Sequence, residues 1–438
     1  MSTTSDRDTT ANPSDPADPG VSSTGGKAAS DFAGDSQSAA SLGDSARAYV
    51  ARLRGGDMGS LPAILGLVVL LIIFGLANST FFSLLNMANL VVQAGPICLL
   101  AMGLIFVLLL GEIDLSAGVA GGVAATVAAL VIVNQGFPWY VAVLAAIATG
   151  AVIGLVIGEL VSRLGVPSFV VTLAFFLGLQ GVILRLIGDG GTVRVADPVL
   201  RGLTISNVPV VAGWIAAVLL TVVFAAGSLL SHRRKVANDL QRDPMSLVVI
   251  KIVGLGVIVL GLTAMLSLNR GRLSFPIAGI PYILPLVVVL LILWTFVLNR
   301  TAFGRHLYAV GGNAEAARRA GINVLRMRVY AFVICSSMAA ISGIVQASFT
   351  GKVSASSGAG NTLLYAVGAA VIGGTSLFGG RGRALDAVLG GVVIATIANG
   401  LGLLNQASYI NYVVTGGVLL LAASVDAISR RRRSVSGT

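Results

Sequence analysis

Histidine and cysteine are scarce, with two of each in a chain of 438 residues. His232 and His306 both stand in basic stretches, no nucleophile–base constellation surrounds either, and no metal site is expected. Cys98 and Cys335 each lie inside an apolar run, which excludes a disulfide framework and a thiolate metal site. The pattern that cradles phosphate in nucleotide hydrolases is also missing: Gly26-Lys27 is followed by Ala28, where Ser or Thr is required. Charged residues make up only 11% of the chain, far below what a soluble domain carries.

What is abundant is apolar. Hydrophobic residues account for 55% of the sequence and the mean hydropathy is +0.91, so the chain reads as an integral membrane protein. The net charge of +11 does not point to nucleic acid, because the positive residues cluster between apolar runs, as cytoplasmic loops do. Residues 1–45 are rich in Ser, Thr, Gly, Pro and Asp and cannot bury enough surface to fold, so a disordered cytoplasmic tail is expected there. No basic start followed by an apolar stretch marks it as a signal peptide.

At roughly 17 to 25 apolar residues per crossing, the spans fall near 61–77, 88–110, 114–133, 139–161, 167–187, 208–230, 246–267, 281–298, 325–348, 364–379, 385–404 and 408–428. The expected organisation is an all-α polytopic protein of about 12 crossings (10–12), with a membrane domain over 46–429 and a basic tail over 430–438. Starting inside, behind Arg47, Arg52 and Arg54, alternation places Arg163, Arg233 to Lys235, the 299–328 loop, Arg381 with Arg383, and Arg430 to Arg433 on the cytoplasmic side. Both termini are therefore expected inside. The segment 364–379 is short and interrupted by Gly373 and Gly374, and parity argues that it crosses as a broken helix.

The stretch TAFGRHLYAVGGNAEAARRAGINVLRMR at 301–328 lies between two apolar runs and cannot enter a bilayer. Asn313 is a good N-cap, Glu315 falls in the following turn, Arg318 and Arg319 in the last, and Gly321 supplies a stop. That describes a helix of about two turns, roughly 10 Å long, which needs flanking segments or a partner to hold it. From the residues alone, an ordinary basic loop and a stub fitted to a groove of another protein are both open.

This loop, with GEIDLSAG at 111–118, VPSFVVTLA at 166–174 and VIGGTSLFGG at 371–380, resembles the permease subunits of bacterial ABC importers for ribose, xylose and galactose. The likeness runs over most of 61–428, and the extra residues near 208–267 match the longer, xylose-type members. The resemblance implies the importer permease fold and a coupling loop that docks on a cytoplasmic ATPase subunit. Gly311, Gly312, Asn313, Glu315, Ala316, Ala317, Arg318, Arg319 and Gly321 would form that contact. It further implies an extracytoplasmic sugar-binding protein, a second copy of the permease and surrounding lipid as partners. ATP would be held by the partner subunit, and no cofactor is expected in this chain. One departure stands out: relatives often carry Glu-Leu-Asp where this chain has Leu363, Leu364 and Tyr365.

Ionisable residues near the membrane are few: Glu112, Asp114, Glu159, Asp386 and Asp426, all near span ends. Glu112 and Asp114 suit either a helix cap or a gate, and Glu159 with Arg163 a local ion pair. Gln93, Pro96, Thr172, Gln180 and Asn399 are available to a weakly polar path, although Gln93 and Thr172 suit helix-to-helix bonds equally. The rival of another class is an ion-coupled carrier, disfavoured by the lack of acids at mid-membrane depth.

Overall fold

Every apolar run becomes a helix, because a bilayer offers backbone groups no partners but one another. In the computed structural model, residues 59–188, 190–238, 244–271 and 276–436 are described, with Gly43 and Arg47. The tail expected over 1–45 lies outside the described residues apart from Gly43, and so do the side chains of Asp426 and Arg430 to Arg433.

In chain order the helices are α1 (Leu61–Ala77), α2 (Leu84–Leu109), α3 (Ala117–Val133), α4 (Trp139–Ser162), α5 (Ser168–Ile187), α6 (Pro198–Ile205), α7 (Val210–Ala237) and α8 (Met245–Ser267). They continue with α9 (Ile283–Arg300), α10 (Ala302–Gly312), α11 (Ala314–Arg319), α12 (Val324–Thr350), α13 (Thr362–Gly373), α14 (Ala384–Leu403) and α15 (Ser408–Ser436). Among the described residues, eight helices, α2, α4, α5, α7, α8, α9, α12 and α14, are long and apolar enough to cross a membrane. Shorter apolar helices occupy the other four expected spans.

Two of those short helices correct the expected boundaries. The segment expected to cross over 364–379 forms only the 12-residue α13, ended at Gly374 by a φ of +120°. At about 1.5 Å per residue that is roughly 18 Å, less than a bilayer core. The span expected from 114 begins at Ala117, because residues 110–116 form a linker rather than helix.

The core is built around α2, which packs on α12, α14, α13 and α9, while α12 also packs on α4 and α3. Leu99, Met102, Ile105 and Phe106 of α2 are fully buried, as are Phe332 and Cys335 of α12. Small residues set the spacing. A Cβ added to Gly154 of α4 would lie 2.4 Å from the Phe332 carbonyl of α12, so only glycine permits that approach. The hairpin α7–α8 sits at the periphery: α7 packs chiefly on α8, and both helices leave most of their apolar surface exposed.

Four short strands join the loops at the end opposite α10 and α11. Strands β1 (Thr192–Arg194) and β4 (Lys352–Ser354) pair antiparallel with Val193 opposite Val353, and β2 (Asn207–Val208) pairs with β3 (Ile280–Pro281). Arg270 fastens the α7–α8 hairpin beside β2 and β3, its Nη2 donating to Asn207 Oδ1 and the Gly279 carbonyl, each at 2.8 Å.

Candidate functional site

At one end of the bundle, α9 passes into two cap-defined helices. Thr301 Oγ1 accepts from Gly304 N–H at 3.2 Å and starts α10, a helix that reasoning from sequence did not anticipate. Leu307 and Val310 of α10 are buried while Arg305 and His306 face outward, so the helix is amphipathic and lies on the bundle end. Asn313 Oδ1 then accepts from Ala316 N–H at 2.9 Å and starts α11. Glu315 is paired with Arg318 and, at 3.3 Å, with Arg319, and Gly321 ends the turn with a φ of +83°.

The direction in which each residue faces differs from a simple docking stub. Glu315, Ala316, Arg318 and Arg319 are exposed, as are Gly312 and Asn313. Ala317, expected to meet a partner, is instead 4% exposed and packs with Val310 and Met327 of its own chain. Gly311 also points inward: a Cβ there would stand 1.8 Å from the Leu109 carbonyl and 2.9 Å from the Gly380 nitrogen.

Gly311 therefore sits where two linkers meet. Gly380 N–H donates to the Leu109 carbonyl at 2.8 Å, which ties the last residue of α2, where the α2–α3 linker begins, to the α13–α14 linker beneath α10. GEIDLSAG and GGTSLFGG, which echo each other in sequence, meet here through Gly111 and Gly379. Tyr308 of α10 adds a second tie, its hydroxyl donating to the Gly382 carbonyl at 2.6 Å. Burial, reinforced by the charge of Asp386 and opposed by Arg383, pushes the Tyr308 phenol above its usual range. Arg383 and Asp386 close a capping box on α14.

The α2–α3 linker carries both acids that suggested a cap or a gate. Glu112 pairs with Arg328 of α12 at 3.0 Å, linking it to the exit of α11. Asp114 is 1% exposed, and its Oδ1 accepts from Ser116 N–H at 2.9 Å and Ser116 Oγ at 2.6 Å. Thr172 of α5 faces this linker, its hydroxyl donating to the Ser168 carbonyl at 2.8 Å and lying 3.3 Å from the Ile113 carbonyl.

A cavity of about 450 Å³ opens between α2, α3, α12 and the segment from β4 into α13. Gln93 and Pro96 line it. Asn399 stands behind it: its amide exchanges hydrogen bonds of 2.9 Å with Asn86 and reaches Gln93 Oε1 at 3.4 Å, holding that side chain at the wall. Gln180 is not among the lining residues. Ser342 Oγ donates to the Pro96 carbonyl at 2.7 Å, giving that interrupted stretch of α2 a partner from α12.

Most of the polar lining was missed from sequence. Ser342, Gln346 and Thr350 are spaced along α12, whereas Lys352, Ser354, Ser357, Asn361 and Thr362 follow it. The signal was the run KVSASSGAGNT, which hydropathy assigns to an outer loop. Tyr365, at the departure from Glu-Leu-Asp, also lines the cavity and stands near Tyr412 of α15. Its polar side chains are hydroxyl, amide and phenol with one lysine, set among apolar residues such as Ile97, Leu100 and Val353, a mixture suited to a small polyhydroxylated solute.

Comparison with known proteins agrees with this geometry. Residues 86–423 match the family described as the permease component of branched-chain amino acid transport systems. The chain is 34% identical over 370 residues to the xylose transport system permease protein XylH of Haemophilus influenzae, covering 84% of this chain and 96% of that protein. It is 36% identical over 356 residues to XylH of Escherichia coli K12, covering 81% and 88%. The ribose import permease protein RbsC of Escherichia coli K12 is 30% identical over 368 residues, covering 83% and 92%. No solved structure matches. The match spans the α2–α3 linker, the cavity and the α10–α11 surface alike, and the chain belongs to this family of ABC importer permease components.

Proposed function

We propose that this chain forms the membrane path of an ATP-driven importer for a monosaccharide of xylose or ribose type, consistent with the systems named for its relatives. The exposed face of α10 and α11 would dock on a cytoplasmic ATPase subunit, and the cavity end bearing β1 and β4 would face an extracytoplasmic binding protein. A second copy would complete the path, and both termini would be cytoplasmic.

The observation that carries this reading is the junction at Gly311. Helix α10, the proposed docking surface, meets backbone at the end of α2 and in the α13–α14 linker at once, and each leads to an element that reaches the cavity. One leads into α3, whose Gly118 and Gly122 line the cavity wall; the other follows α13, whose Thr362 and Tyr365 line it. Movement of α10 on ATP binding would therefore shift both walls without any new contact at the solute. A weakly polar cavity also suits release, since tight binding in the path would slow transport.

The test is reconstitution of the permease with its ATPase and binding protein in proteoliposomes, with labelled xylose and ribose. Gly311→Ala should abolish uptake and binding-protein-stimulated ATP hydrolysis, because the added methyl collides with backbone that cannot rotate away, and both are read per folded permease recovered from the membrane. Full uptake by the unsubstituted chain without ATPase, driven by an imposed proton or sodium gradient, would establish an ion-coupled carrier instead.

A further inference from the structure

Three side-chain amides form a row between α2 and α14, and one main-chain oxygen sets the sense of all three. Asn86 Nδ2 donates to the Phe81 carbonyl at 2.8 Å and to Asn399 Oδ1 at 2.9 Å, which uses both of its hydrogens. A carbonyl oxygen only accepts, so Asn86 cannot turn its amide over without setting a second acceptor against Phe81. Asn399 is fixed in turn: its Nδ2 donates to Asn86 Oδ1 at 2.9 Å and to Gln93 Oε1 at 3.4 Å. Asn86 and Asn399 are each only 7% exposed, so bulk water does not compete for these bonds.

Gln93 closes the row at the wall of the cavity. With Oε1 turned to Asn399, its Nε2 is directed the other way and has no hydrogen-bond partner among the described residues. The wall therefore shows N–H donors that rotation of the amide cannot exchange for an acceptor. One turn further along α2 the sense is opposite: Ser342 Oγ, also in the lining, gives its hydrogen to the Pro96 carbonyl at 2.7 Å and keeps only lone pairs. A donor and an acceptor, each fixed, suit a hydroxyl, which accepts from one and donates to the other. An ammonium would meet the donor unfavourably, and a carboxylate the acceptor. We propose that Gln93 is a specificity-determining residue, donating from Nε2 to the oxygen of one sugar hydroxyl, and that Asn86 and Asn399 are positioning residues that hold its amide in that sense. This role rests on the reading of the chain as a monosaccharide permease.

The experiment uses the complete importer in proteoliposomes, with whichever of xylose and ribose is carried and with its monodeoxy and deoxyfluoro analogues. One binding protein at saturation serves every permease variant, so its own preference is common to all. The readout is sugar moved per ATP hydrolysed. With the pentose itself, Gln93→Met and Gln93→Glu should each lower that yield about fivefold, the worth of one hydrogen bond. Glu fills the same space and still accepts from Asn399, so a Gln93 that served only to tie α2 to α14 would show no loss there. Among the analogues, the unsubstituted chain should move one deoxy sugar about fivefold less well than the pentose, and its fluoro counterpart, which still accepts, better than that deoxy sugar. Gln93→Met should not distinguish these two, and Gln93→Glu should reverse their order, because fluorine then faces a second acceptor. Asn399→Asp, which only accepts, should turn the Gln93 amide over and produce the same reversal. If that buried substitution does not fold, the two Gln93 variants decide, since they conserve volume at a cavity wall. Full yield in Gln93→Glu, or one ranking of analogues shared by Gln93→Met and the unsubstituted chain, overturns the proposal and leaves the permease reading standing. Absence of pentose uptake by the unsubstituted importer overturns both.

Discussion

Asp114 has one carboxylate oxygen that accepts twice from Ser116, and the buried carboxylate also lies against the Cys335 thiol and the Ala117 N–H. Burying a charged carboxylate is costly, whereas its bonds to Ser116 keep the turn into α3 closed. Asp114→Asn retains that acceptor and removes the charge, so thermal stability should match or exceed the unsubstituted protein. Asp114→Leu strands the Ser116 N–H and should cost about 1–3 kcal/mol. If Asn proves as harmful to transport as Leu while folding normally, the charge itself serves as the gate. Tyr308→Phe makes a related test, since it deletes only the 2.6 Å bond to the Gly382 carbonyl. It should lower coupling of ATP hydrolysis to uptake several-fold, with co-purification of the ATPase unchanged.

Among the elements, α10 and α11 divide their residues between two duties. Ala317→Trp would overfill the small cluster with Val310 and Met327 and should open this end of the chain before any partner is added. Limited trypsin digestion at Arg318 and Arg319 should accelerate in that variant. Arg318→Glu with Arg319→Glu changes only exposed charge and should leave digestion elsewhere and thermal stability unaltered while weakening ATPase binding. The Glu112 and Arg328 pair fastens the α2–α3 linker to α12, and a double-mutant cycle with Gln at each should yield a coupling of roughly 1 kcal/mol. The α11 cap was legible because Asn313 and Gly321 are local signals, each acting on its own turn. Helix α10 was not, because Gly304, Gly311 and Gly312 read as loop, and its amphipathic stripe is only 11 residues long. The inward turn of Ala317 and the polar lining after Thr350 depend on packing between distant segments, which hydropathy does not record.

For the whole molecule, apolar runs revealed where helices form, but not where the short ones would begin and end. Glycine spacing decided that for α13, and the linker containing Asp114 decided it for α3. Cys98 and Cys335 are both buried, so single cysteines can report sidedness against a quiet background. Gln135→Cys, between α3 and α4, should label with an impermeant thiol reagent only from outside, and Ala316→Cys only from inside. Both labelling from one side would show that the orientation proposed here is wrong. The contact among Gly311, Gly379 and Gly380 has a mechanical meaning as well. A joint made of main chain has no rotamers to absorb the first part of a stroke, so it works without backlash. Displacement of the docking face by a fraction of an ångström would reach both linkers in phase, and the two walls of the path would move together rather than in turn.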